Sequence, residues 1–292
     1  CHSEQSPGCE YLAPIYLDHN LSGPPLMPKI IKQLLLVMLF ATVLPAAQAG
    51  EALQRVLDFK TLNVGMSADQ PPMNAHNRNG GLMGYDVDLA RAMANAMRVQ
   101  LEIKVLPFSD LIQALEKDEI DMIISNMSIT PERTEQVTFL GPYMMAGKSI
   151  LTRNSVLAQA KEGGAFNRED LKLVAIENST SAMFISEAAP DAQLVTVANN
   201  EVGVAMVIKG EADAMIADMA VCKLAVLRHQ DAGLVTLSEP LTLEPVGIAV
   251  SKDDPQFQNL VDNYLDAFGK TGVLAGLRKK WFEDGSWVGA LP

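Results

Sequence analysis

Leu111–Ser125 reads LIQALEKDEIDMIIS, and further along Val204–Asp218 reads VAMVIKGEADAMIAD. Both stretches follow one plan: an apolar helix, a lysine, a short turn, an acidic residue and an aspartate, then a short apolar run. Such runs bounded by turn signals read as buried strands. Each leads to a polar residue at the strand's carboxyl end, Ser125 in one and Asp218 in the other. The same alternation continues outward. LNVGM (62–66), LEIKV (101–105), KSILT (148–152), KLVAIE (172–177), QLVTVA (193–198) and VGIAV (246–250) have strand patterns. Between them, YDVDLARAMANAM (85–97) puts Val87, Ala90, Met93, Ala94 and Met97 on one helical face, and SDLIQALEK (109–117) is a short helix with Ser109 as its N-cap. Residues 70–84 form a loop rich in Pro, Gly and Asn. Further helices centre on Ala182, Val204 and Leu224, and the last lie near Leu260 and Leu277. Alternation of this kind implies βαβ units and mainly parallel sheets, here in two similar α/β lobes. Open α/β sheets bind ligands beyond the carboxyl ends of their strands, so two facing lobes place both polar strand ends at one cleft.

The beginning of the chain is of another kind. From Met27 it reads MPKIIKQLLLVMLFATVLPAAQAG, with Lys29 and Lys32 ahead of an apolar core and Ala47-Gln48-Ala49 as a small-residue cleavage signal. That is the pattern of a secretory signal peptide over residues 27–49, and its core is too short to span a bilayer. Residues 1–26 show no periodicity and are expected to be an upstream extension. The chain carries a net charge of −12, and removing the two lysines and three acids ahead of Gly50 leaves −11. Such a balance argues against nucleic acid or an anionic membrane surface as partner. Cys222 is then alone, with no intrachain disulfide to form. His76 and His229 are separated, and no metal-ligand cluster, nucleophile elbow or phosphate-binding glycine motif appears. No metal or cofactor is expected.

The chemistry concentrates in SNMSITPER, Ser125–Arg133. Thr130 suits an N-cap, Pro131 the first helical position and Glu132 the positive end of the dipole. Arg133 falls next, where a cation is mildly unfavourable. A guanidinium there can grip a carboxylate bidentately, with Ser128 and free loop amides adding donors. It equally suits pairing with Glu132 or Glu135 on a solvated surface. Asp218 can cap the helix that begins at Met219, or face the cleft. An arginine on one wall and an aspartate on the other match a zwitterionic α-amino acid.

From about Leu62 to Phe282 the chain resembles family 3 of the periplasmic solute-binding proteins, which serve polar amino-acid ABC importers. The resemblance is carried by GLMGYDVDLARAMA (81–94), DMIISNMSITPERTEQVTFLGPY (121–143), GEADAMIAD (210–218) and GKTGVLAGLRKKWF (269–282), in that order. It implies a two-lobed type II periplasmic-binding-protein fold, each lobe a mainly parallel sheet flanked by helices, with two crossings near Tyr143–Gly147 and Thr242–Val246. Residues 50–145 and 246–292 would form lobe 1, and residues 146–245 lobe 2. The family's carboxylate-binding arginine falls on Arg133, the adjoining hydroxyl position on Ser128 with Asn126 on the same loop, and the ammonium-binding aspartate on Asp218. The second-lobe helix start falls on Ser179, Thr180 and Ser181, facing the same carboxylate. Two positions depart from the pattern: Gln70 stands where an aromatic usually stacks on the ligand, and Ser179 where a glycine is usual. Asp69 and Glu177 fall near the side-chain pocket, which points to a cationic or strongly polar side chain. The implied protein is a periplasmic monomer that binds a small polar L-amino acid, closes around it and docks on an inner-membrane ABC permease. The scaffold also resembles that of exported cyclohexadienyl dehydratases, with Glu177 cast as general acid, and a sensing module for a membrane receptor would share every binding residue.

Overall fold

The computed structural model describes residues 51–159 and 163–292. The upstream extension and the signal peptide expected over residues 1–49 lie outside the described residues. Helix α1 (Glu51–Phe59) leads into β1 (Thr61–Met66). A small meander follows, of β2 (Asp69–Gln70), β3 (Asn74–His76) and β4 (Leu82–Met83). Then come α2 (Tyr85–Met97), β5 (Gln100–Val105), α3 (Leu111–Glu116), β6 (Met122–Ile123), the single turn α4 (Pro131–Thr134) and the long β7 (Thr138–Ala146). The second lobe runs β8 (Lys148–Thr152), β9 (Lys172–Ile176), α5 (Thr180–Ala188), β10 (Gln193–Val197), α6 (Asn200–Lys209), β11 (Ala214–Asp218), α7 (Met219–Arg228) and β12 (Val235–Thr236). The chain returns as β13 (Glu244–Val250), α8 (Pro255–Lys270) and α9 (Val273–Arg278).

The two lobes repeat one sheet layout. The first is ordered β5-β1-β6-β13-β7 and the second β10-β9-β11-β8-β12. In each, four strands run one way and the fourth in order, β13 or β8, is antiparallel to both its neighbours. Each sheet is therefore mainly parallel in strand direction, as expected, but mixed, because one strand runs against the rest. The antiparallel strands belong to the crossings or follow them directly, so no crossover helix aligns them.

The internal echo has a structural reason. In both lobes the helix ends in a tight turn and the aspartate before the strand turns its carboxylate onto the neighbouring parallel strand. Asp121 Oδ2 accepts from the backbone N–H of Asn63 at 2.8 Å, and Asp213 Oδ2 accepts from that of Lys172 at 2.8 Å. Each aspartate thus satisfies a backbone donor of the neighbouring strand beyond the start of its own strand. Asp121 is fully buried and also accepts from Arg55 Nε at 2.9 Å.

Packing follows the sequence pattern. Leu62, Val64 and Met66 of β1 are fully buried, and side chains of that size stabilise by about 1.5–3 kcal/mol each when buried. Helix α2 lays Val87, Leu89, Ala90, Met93 and Ala94 into the first core and stops where Arg98 turns left-handed at φ 57°. Met97 is half-buried at the margin. Ser109 is not an N-cap: it lies inside a 3-10 turn begun by Pro107, and its hydroxyl donates to Asp110 Oδ1 at 2.9 Å.

The lobes are joined by two crossing strands paired with each other, Glu244 opposite Ala146, Pro245 opposite Met145 and Val246 opposite Met144. Gly147 sits just past the end of β7, against the returning segment. A Cβ there would lie 2.4 Å from the Thr242 carbonyl oxygen. Among the described residues, no helix is long and apolar enough to cross a membrane.

Candidate functional site

Arg133 is placed by a small piece of local chemistry. Thr130 is extended and its Oγ1 accepts from the Arg133 N–H at 3.3 Å, while Pro131 opens the turn. That cap rotates the arginine inward, leaving it 6% exposed. Nη1 donates to the Ser128 carbonyl at 2.8 Å and Nη2 to the Asn178 carbonyl of the other lobe at 2.9 Å. The guanidinium also lies 5.5 Å from the centroid of the Phe108 ring, a cation–π arrangement. Glu132 and Glu135 are exposed and accept no hydrogen bond from its side chain. Two of five N–H groups are used, and the rest are free to meet an anion. Burial lowers its pKa to about 10, against the pull of Glu244, Asp218 and Glu132, so it is a cation at neutral pH.

Asp218 holds the N-cap position of α7 but makes no side-chain cap bond. Its carboxylate faces the cleft instead. Oδ1 accepts from Lys148 Nζ at 2.6 Å and Oδ2 from Asn126 Nδ2 of the first lobe. Lys148 is its register partner across β8 and β11, so the pair is a cross-strand one. Asn126 reaches over because its backbone is left-handed at φ 50°, a conformation asparagine tolerates well.

A third charge completes this wall. Glu244 opens β13, and its Oε2 accepts from Ser128 Oγ at 2.7 Å and Thr180 Oγ1 at 2.7 Å, with Lys148 Nζ at 3.3 Å. Oε1 accepts from Thr242 Oγ1 at 2.9 Å. Burial alone would raise the Glu244 pKa, but Lys148 and the three hydroxyls hold it below the ordinary value. Burial likewise works to depress Lys148, yet Asp218 and Glu244 together raise it. One lysine between two carboxylates leaves a net charge of −1, facing the +1 of Arg133.

Of the residues singled out in the sequence, Gln70, Asn126, Ser128, Arg133, Thr180, Ser181 and Asp218 surround one cavity of about 30 Å³ between the lobes. Glu177 does not. Ile176 at the end of β9 lines the cavity, and the next residue on an extended chain points the other way, so Glu177 is exposed. Gln70 is buried and serves polar contacts: its Oε1 accepts from Asn126 Nδ2 at 3.0 Å and its Nε2 donates to Ser67 Oγ at 3.1 Å. Ser179 replaces glycine without strain, at φ −89°, and caps α5 by accepting from the Ala182 N–H. Lys148 and Glu244 carry no signal in sequence, since each reads as part of a strand until the crossings bring them together.

A second cavity of about 570 Å³ shares Phe108, Asn200 and Val221 with the first and is lined from both lobes by apolar residues together with Asp69, Glu201 and Arg228. Asp69 stands on its wall. Oδ2 accepts from the Asn200 N–H at 3.1 Å, across the lobes, while the buried Oδ1 has no partner. Burial raises its pKa, opposed by the nearby Ser67 hydroxyl and the Asn200 amide.

This double-lobed cleft has known counterparts. The sequence model of the bacterial extracellular solute-binding proteins, family 3, matches residues 62–284 and so spans both sheets. The chain belongs to that family. This family 3 protein is 28% identical over 258 residues to ABC transporter arginine-binding protein 1 of Escherichia coli (strain K12), covering 86% of this chain and 99% of that one. It is 25% identical over 260 residues to a cyclohexadienyl dehydratase of Pseudomonas aeruginosa, covering 88% and 97%. A crystal structure of an ancestral amino acid-binding protein, a precursor of cyclohexadienyl dehydratase, superposes with a TM-score of 0.72 at 33% identity, covering 80% of this chain and all of the other. The type II two-lobed fold with its two crossings is thereby shared with solved family 3 structures.

Proposed function

We propose that this family 3 protein is exported to the periplasm and captures a small polar L-amino acid for an ABC importer. The observation that carries this reading is the charge layout of the cleft: buried Arg133 on one side and a cluster of net −1 around Asp218 on the other. A zwitterionic head group matches both. Its carboxylate meets the unused N–H groups of Arg133, the amides at the start of α5 and the hydroxyls of Ser128, Thr180 and Ser181, and its ammonium meets Asp218. Relatives named for arginine binding support the ligand class. The second cavity receives the side chain, and Asp69 among its lining residues favours a cationic or strongly polar end.

A cavity of about 30 Å³ has room for only about two waters. An amino acid therefore enters with the lobes parted. Residues 50–145 with 246–292 then rotate against residues 146–245 about the paired crossings, and closure buries charges that are fully compensated. The closed monomer docks on the permease.

A thermal-shift screen of the purified protein against the twenty standard L-amino acids tests this. At a hundred times its dissociation constant, a ligand that binds only the native state adds about 2.7 kcal/mol of stability. The expected result is a clear upward shift with one amino-acid class, lost in Arg133→Ala and in Asp218→Ala. No shift with any amino acid would refute the reading. The relationship to a cyclohexadienyl dehydratase favours a second reading, so prephenate and arogenate belong in the same screen. A shift with either of those alone would select that reading.

A further inference from the structure

The groups suited to a ligand's head group are already holding the chain's own charges. Ser128 Oγ and Thr180 Oγ1, one from each lobe, both donate at 2.7 Å to a carboxylate, and that carboxylate is Glu244. Asp218 accepts at 2.6 Å from an ammonium, and that ammonium is Lys148 Nζ. The two stand-in charges lie 3.3 Å apart, side by side as the carboxylate and ammonium of an α-amino acid are. They come from the two crossing segments, Lys148 just after Gly147 and Glu244 just after Thr242. Thr242 Oγ1 ties those segments together by accepting from the Lys148 N–H at 3.0 Å and donating to Glu244 Oε1 at 2.9 Å.

We infer that Glu244 and Lys148 form an internal counterpart of the amino-acid head group, so that ligand binding is an exchange of ion pairs. This rests on the amino-acid reading above. The incoming carboxylate takes the Ser128 and Thr180 hydroxyls together with the unused N–H groups of Arg133. The incoming ammonium takes Asp218. Lys148 and Glu244, displaced together, continue to neutralise each other. No net charge enters or leaves the buried cleft, which is the condition for the exchange to be affordable in a medium of low dielectric. Before exchange, the same contacts hold the lobes together, because Glu244 accepts from Ser128 on one side of the cleft and Thr180 on the other. The internal pair thus competes with the ligand, and the apparent affinity falls by the fraction of molecules in which that pair has let go.

Removing the competitor while conserving charge is the direct test. Lys148→Met combined with Glu244→Gln deletes one positive and one negative charge and leaves Arg133 and Asp218 facing each other alone. Titration calorimetry with the standard L-amino acids on the full chain is expected to show binding at least tenfold tighter in the double variant than in the unaltered protein, about 1.4 kcal/mol. Arg133→Ala should abolish binding in both backgrounds. Scattering measurements should also show the unaltered protein equally compact with and without ligand, and the double variant expanded until ligand is added. Should the double variant fail to fold, Glu244→Gln alone is expected to tighten binding by a smaller factor, roughly threefold. Equal or weaker binding in the variants overturns the inference and leaves the amino-acid reading standing, provided binding by the unaltered protein still depends on Arg133. If neither form binds any amino acid, the reading beneath it falls as well.

Discussion

Replacing Lys148 by methionine, alone, tests the electrostatics of the second wall. The side chain is 5% exposed, and its Nζ lies 2.6 Å from Asp218 and 3.3 Å from Glu244. At an effective dielectric constant of about 20 these separations correspond to roughly 6 and 5 kcal/mol of attraction. Several kcal/mol spent on desolvating the ammonium offset most of that sum. Methionine recovers the desolvation and the packing but leaves two carboxylates without a cation. Removing one partner of a buried pair typically costs 3–5 kcal/mol. Here Glu244 keeps three hydroxyl donors and Asp218 keeps the Asn126 amide, so the lower end, about 3 kcal/mol, is expected. For a protein of this size that is a fall in melting temperature of roughly 6–12 °C. The pH dependence is diagnostic. In the unaltered protein the depressed Glu244 pKa contributes stability that is present above its unfolded value and lost as pH falls through the folded one. In the variant, burial of the Glu244 carboxylate is no longer offset by Lys148, so its protonation restores stability at low pH. The gap should narrow from both sides between pH 7 and pH 4. At the other extreme, the raised Lys148 pKa makes its contribution disappear only as the solution becomes strongly alkaline. Thermal melts across that range decide the matter. A loss under about 1 kcal/mol at pH 7, or a gap of constant width, would refute the reasoning.

Asp86 is fully buried between Tyr143 Oη at 2.8 Å and Asn74 Nδ2 at 2.7 Å, and burial raises its pKa to about 6. A raised folded value favours the native state below the unfolded pKa and loses that advantage as pH rises to 6. Stability of the unaltered protein relative to Asp86→Asn should therefore increase by about 2.4 kcal/mol on going from pH 7 to pH 4, read from urea midpoints. A flat difference would count against it. Gly147→Ala would put a methyl group 2.4 Å from the Thr242 carbonyl oxygen and 2.7 Å from Pro240 Cβ. A destabilisation of about 1–3 kcal/mol is expected, and an unchanged midpoint would show that the crossings yield more easily than their spacing suggests. Burial pushes the Cys222 thiol up to about 12. Peptide mass mapping should find Cys222 unmodified by a thiol reagent under native conditions and labelled on unfolding, whereas native labelling within minutes would contradict its burial.

What the sequence disclosed, and what it withheld, follows from the range of each signal. The helix-turn-strand echo is legible because helix, turn and strand are local, and the aspartate in each copy caps a strand next to its own. Arg133 is legible for a similar reason, since Thr130 and Pro131 fix the turn that aims it. The meander β2–β4 is not, because strands of two or three residues carry no alternation to detect. Lys148 and Glu244 are far apart in sequence, and only the pairing of the two crossings makes them a unit. Glu177 misled because its place next to the cavity-lining Ile176 says nothing of direction until the phase of β9 is known.

The order of strands in the first sheet also bears on how the chain folds. β13 lies between β6 and β7, yet it is made only after every strand of the second sheet. During synthesis, β7 therefore has no neighbour in its own sheet until residues 244–250 arrive. The second sheet uses only residues 148–236, without a break, so its loops are the shorter ones to close. The later half of the chain should thus mature first and hold the ends of the gap together, and the earlier half should close last around the returning strand. Pulse-labelled hydrogen exchange during refolding would show β9 and β11 amides protected ahead of those of β6 and β7.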